Sequence, residues 1–74
     1  MSSMEEFFLK LKTDEEVADE ELVIIKDVFM NQKLKLKQLM KSGDLAITDE
    51  KLERIGIKQM GLRTAILSVI ESSQ

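Results

Sequence analysis

Two carboxylate pairs lie close enough along the chain to pose an acid–base question: Asp49 beside Glu50, and Glu50 three residues before Glu53. Paired carboxylates cleave a glycosidic bond when their surroundings keep one protonated and the other ionised, which requires a cleft. Here the acids follow Thr48 in what reads as the first turn of a helix, where they stabilise the helix N-terminus and face water. A chain of 74 residues also leaves no room for a cleft of useful size. Catalysis and a small-molecule substrate are not expected. The acidic segment Asp14–Glu21 lacks the alternating ligands and central glycine of a calcium loop, so it reads as a solvated helix start. With neither Cys nor His in the sequence, disulfides, thiolate nucleophiles, imidazole acid–base chemistry and the usual zinc sets are excluded. No metal or cofactor is expected. Lys33, Lys35, Lys37 and Lys41 form a basic run that could meet phosphate, but the chain has no Trp or Tyr to stack on bases and a net charge of −3. Nucleic acid is therefore not the expected partner, and the lysine stems read as cover for apolar surface.

The charge is unevenly spread. Residues 1–25 carry two lysines against eight acids, net −6, and the remainder carries nine Lys and Arg against six acids, net +3. Such asymmetry favours contact between oppositely charged faces without specifying a fold. The longest uninterrupted apolar run, Leu22–Ile25, is far too short to cross a bilayer. The first residues resemble neither a secretory signal nor an organellar presequence. The expectation is an intracellular protein, cytoplasmic or nuclear, with no membrane partner.

The elements that position these groups follow from capping signals and apolar spacing. There is no proline, so Gly, Ser, Thr and Asp supply the punctuation. Ser3 with Glu6 three residues on has the spacing of a capping box, which predicts a first helix to about Lys12 with Phe7, Phe8 and Leu11 as its stripe. Thr13 before Asp14–Glu16 repeats that signal and predicts a second helix from there or shortly after. Val17, Ala18, Leu22, Ile25, Val28 and Phe29 form its stripe, widened by Val23, Ile24 and Met30. Lys33–Lys37 alternates as a strand would, but a lone strand has no partner, so a short helix around Leu36, Leu39 and Met40 is favoured. Lys41–Asp44 reads as a turn. Thr48 then caps a short helix with Leu52 and Ile55 inward and Gly56 just past its end. Ile57 should plug the core beneath that turn, and Gly61 should allow a close backbone approach. A last helix runs from about Lys58 to Glu71, with Leu62, Ile66, Val69 and Ile70 on one face, Leu67 beside them, and Ser72–Gln74 frayed. The expected fold is all-α, a five-helix bundle over residues 1–74 as a single domain, its helical core at about 3–71.

Leu39-Met40, Ile47-Thr48-Asp49-Glu50-Lys51-Leu52-Glu53-Arg54-Ile55-Gly56-Ile57, Gly61-Leu62-Arg63 and Ile66-Leu67-Ser68-Val69-Ile70 together resemble the C-terminal half of the sterile alpha motif (SAM) domain. Phe29 with Asn31–Leu34 is similar to the close of that family's second helix, and Phe7-Phe8-Leu9 sits where its first helix usually offers Trp-Leu. The resemblance implies a module that associates with itself or with another SAM domain, head to tail, within a larger signalling, scaffolding or regulatory protein. In the family, a surface around the start of the fifth helix docks on the middle of a second domain. The matching positions here are Lys58, Gln59, Met60, Leu62, Arg63 and Thr64 on the first surface. On the second they are Asp44, Asp49, Glu50 and Glu53. Some SAM domains instead bind RNA hairpins through basic residues near the same helix start, here Lys58 and Arg63, which is the alternative reading.

Overall fold

Ser3 does cap the first helix. In the computed structural model, which describes all 74 residues, the Ser3 hydroxyl accepts the Glu6 amide at 3.1 Å at the head of α1 (Met4–Thr13). The Glu6 carboxylate closes the other half of the box one residue early, accepting from the Ser2 amide at 3.1 Å and the Ser2 hydroxyl at 3.2 Å. The amide bond from Ser2 is the main reason that the Glu6 carboxyl titrates below the usual carboxylate range.

Thr13 starts no helix. It is the last residue of α1, and its hydroxyl donates back to the Leu9 carbonyl at 3.0 Å. Glu16 then takes a left-handed conformation at φ 57°, and α2 (Asp19–Asn31) begins five residues later than a cap at Thr13 would start it. Glu21 marks the true start by accepting the Ala18 amide at 3.1 Å. Val17 lies outside the helix yet is buried, with its amide on the Leu11 carbonyl.

The end of α2 is a Schellman motif built without glycine. Lys33 at φ 55° bonds back to the Met30 carbonyl, and Leu34 to that of Phe29. The alternating lysine stretch resolves into extended Lys35 and one helical turn, α3 (Leu36–Leu39), then a 3₁₀ turn (Gly43–Leu45) that includes the predicted Gly43 bend. The Thr48 hydroxyl caps α4 (Asp49–Ile55) by accepting the Lys51 amide. A second Schellman motif closes α4: Gly56, at φ 121°, bonds to Glu53, and Ile57 bonds to the Leu52 carbonyl. Leu52 and Ile57 are both buried, the apolar contact that accompanies this motif. The last helix is α5 (Met60–Ser72). Five α-helices and no strand make up the chain.

One apolar cluster holds the helices together. α1 packs on α2 and α5, and α4 packs on α5. Phe7, Leu11, Ile25, Phe29, Leu39, Leu52, Ile57, Ile66 and Val69 are essentially excluded from water. Phe7, Phe8 and Phe29 meet with centroids 5.5 to 6.1 Å apart, Phe7 and Phe8 edge to face. Each such ring contributes about 1.5–3 kcal/mol by burial alone.

Three further expectations are corrected. Val23, Ile24 and Met30 do not widen the buried stripe of α2: Leu22, Ile25 and Phe29 are buried with Val28 packed against them, and Val23, Ile24 and Met30 stay on the surface. Gly61 makes no close approach, since a Cβ there would meet nothing within 4 Å. The C-terminus is tied down: the Ser73 hydroxyl donates to the Val69 carbonyl at 2.7 Å and lies 3.9 Å from the Met1 sulfur, and the Gln74 amide reaches the Met40 carbonyl. No helix is long and apolar enough to cross a membrane.

Candidate interaction surfaces

The start of α5 is built around Arg63. Gln59 occupies the N-cap position, and the first turn contains no acid. Arg63 follows one turn in, and only 9% of its side chain is exposed. Its Nε donates to Asp49 Oδ1 at 2.7 Å, and its Nη1 donates to the carbonyls of Ile57 at 3.0 Å and Lys58 at 2.9 Å. One guanidinium thus joins the first residue of α4, the turn after Gly56 and the first turns of α5. Its rigid fork of donors suits that task where a lysine's single ammonium would not. With no buried side-chain polar atom left unpaired, this site is satisfied internally.

That geometry divides the six positions expected at the α5 start. Leu62 is core and Arg63 is a buried clamp, so neither offers itself to a partner. Lys58, Gln59 and Thr64 are exposed, and Met60 is 69% exposed in the first turn of the helix. The Lys58 ammonium is also partly engaged, donating to the Glu53 carbonyl at 3.0 Å. Of the two cations expected to meet an acidic partner or RNA here, Arg63 is spent on its own fold because the Ile57 and Lys58 carbonyls need donors that no backbone amide supplies.

The four acids expected on the second surface are likewise divided. All four are exposed, but Asp44, Glu50 and Glu53 are free of ion pairs, while Asp49, with 53% of its side chain exposed, is the carboxylate that Arg63 holds. Two residues placed on opposing surfaces by the sequence are therefore partners within one molecule. Beside these acids, Lys51 donates to the carbonyls of Asp44 at 3.2 Å and Ala46 at 2.8 Å, fastening the 3₁₀ turn to α4. An apolar hollow of about 320 Å³ between Leu34, Ile47, Leu52 and Ile55 has Lys51 and Arg54 on its rim, so this side is more cationic than its acids alone suggested.

Two arrangements had no counterpart in the sequence reading. Glu15, Glu16 and Glu21 line a hollow of about 260 Å³ together with Gln59, Gly61 and Leu62, which brings acids from the α1–α2 linker against the start of α5. The left-handed turn at Glu16 makes this possible, and no local pattern announces it. A longer furrow follows the α1–α2 seam. Two hollows of about 520 and 350 Å³ share Glu5, Phe8 and Lys26, and together they run from Lys12 and Asp19 at one end to Met30 and Leu34 at the other. The Lys26 ammonium lies 5.2 Å from the Phe8 ring centroid, and Lys12 pairs with Asp19 at 3.1 Å across the furrow. The signal for this furrow was present in the Met30 position, which falls on the face of α2 one step beyond the buried stripe.

No protein-family model matches the chain, and neither a curated protein nor a solved structure matches it. What stands is a compact all-helical domain of five helices.

Proposed function

We propose that this chain is a non-catalytic protein interaction module of the SAM type, which associates with itself or with another SAM domain as part of a larger signalling, scaffolding or regulatory protein. The observation that carries the reading is Met60, a large apolar side chain 69% exposed in the first turn of α5. Lys58, Gln59 and Thr64 surround it in sequence and are exposed with it. A flexible thioether ringed by polar groups is the composition of a small, adaptable contact. The motif from Ile47 to Ile70 adds the family resemblance, and the burial of Ile57, Leu62, Ile66, Val69 and Ile70 is compatible with it. Because Arg63 is internal, the contact rests on Met60 and Lys58, with Asp44, Glu50 and Glu53 as the exposed acids of a facing copy.

The test is light scattering after gel filtration over a wide concentration range, on the wild type and Met60→Glu. An acid in the first turn of α5 suits the helix dipole, so this variant keeps its fold. Mass that climbs with concentration without levelling in the wild type, and that loses this open-ended growth in Met60→Glu, is the expected result. Association that Met60→Glu leaves unchanged overturns the reading.

A further inference from the structure

Met4, Glu5, Glu6, Phe8, Leu9 and Lys12 of α1 line the α1–α2 furrow, and four of them carry the argument: Glu5, Phe8, Leu9 and Lys12. These four are spaced three, four and seven residues from the first, which puts them on one stripe of the helix. Read in the opposite direction, this stripe complements itself. Two α1 helices laid antiparallel about an axis between Phe8 and Leu9 bring Glu5 of each against Lys12 of the other, and Phe8 of each against Leu9. The acids of the first turn and the lysines of the last turn, which suit the dipole of the single helix, become the two ends of a charge-matched pair.

The apolar surface lies where such a pairing needs it. Leu9 is 58% exposed near the middle of α1, and Met30 is 74% exposed on the opposite wall, with Val23 in the same stripe of α2. These three are half of the large apolar side chains that the molecule leaves in water. Scattered single residues of this kind are ordinary, but Leu9 and Met30 in one furrow, with charges at matched ends, mark a docking face.

We propose that a second copy of this chain docks on the α1–α2 seam, forming a closed two-fold dimer with α1 antiparallel to α1. A two-fold contact uses the same patch on both copies and ends at two, unlike a head-to-tail contact. The Lys26 ammonium, which covers the Phe8 ring in the single chain, turns toward the incoming Glu5 as the rings and Leu9 close together. Lys12 keeps Asp19 and gains the second carboxylate. This contact uses a different face from the α5 start and stands independently of it.

Sedimentation velocity and light scattering over a wide concentration range test it on the wild type and in the Met60→Glu background, where the α5 contact is silent. The expected result in that background is mass levelling at twice the 8.5 kDa of the chain. Adding Leu9→Glu, an exposed position, should weaken the dimer at least about tenfold. Adding Glu5→Lys or Lys12→Glu alone should do the same, because each places like charges together at both ends. Mixing those two variants should restore a one-to-one dimer, since every facing pair is again opposite in sign. Helical circular dichroism of each variant separates lost contact from lost fold. A Met60→Glu chain that stays monomeric overturns the proposal, as does a dimer indifferent to Leu9→Glu or a mixture that fails to pair. Failure of the α5 reading shows separately, as wild-type mass that does not depend on Met60.

Discussion

Two ion pairs of this molecule have similar chemistry and opposite uses. Arg63 and Asp49 meet at 2.7 Å with the guanidinium almost wholly enclosed, and the same guanidinium also holds two backbone carbonyls. Lys12 and Asp19 meet at 3.1 Å with 55% and 74% of their side chains exposed. The first pair fastens α4 to α5 and encloses its cation, although the Asp49 side chain stays 53% exposed. The second spans an open furrow and leaves its charges available. A charge on a surface motif is thus a poor guide to recognition until the carbonyls around it are counted, whereas a plain apolar stripe left in water is informative.

The strongest way to break this comparison is Arg63→Ala. It strands the carbonyls of Ile57 and Lys58, while water takes up the half-exposed Asp49 carboxylate, and should cost about 2–4 kcal/mol in chemical denaturation. Total stability for a chain of this length is on the order of 4–11 kcal/mol, so the variant should sit near its unfolding threshold. A loss under about 1 kcal/mol would show that the clamp is not what joins α4 to α5. Next comes Gly56→Ala, at the turn that presents those carbonyls to Arg63. A Cβ has room, with Val28 Cγ2 at 3.8 Å, so the cost is backbone strain at φ 121° and should be about 1–3 kcal/mol by thermal melting. The smallest effect belongs to the seam. Lys12→Ala should change stability by no more than about 0.5 kcal/mol, because an exposed pair gains little over hydration. A larger loss would make Lys12–Asp19 a structural pair like Arg63–Asp49 and erase the distinction.

Much of the fold was legible because it rests on local chemistry. Ser3, Thr48 and Gly56 act where their types and spacing put them, Leu52, Leu62 and Ile66 point inward as the helical period requires, and Ile57 plugs the core beneath the turn. Errors arose where one residue type serves two purposes. Thr13 followed by acids is a sound capping signal, but its hydroxyl returns to Leu9 and the chain turns left-handed at Glu16 before α2 begins. Val23, Ile24 and Met30 are apolar at positions adjoining the buried stripe, and periodicity alone does not say how much of a helix its neighbours cover. For the candidate surfaces, the exposure of Met60 was readable from its place at a helix start. The burial of Arg63 was not, because the groups that hold it come from Asp49, fourteen residues away, and from carbonyls that carry no signature in the sequence.

The contact between Met1 and Ser73 has a topological consequence. With the two ends side by side, a few residues would close the chain into a ring, and the ring could be cut instead at an exposed bend such as Ser42–Gly43 without separating any packed helices. The helices would then run in the order α4, α5, α1, α2, α3 through the same set of neighbours. What defines this domain is the pattern of seams between its helices, of which the order along the backbone is only one reading.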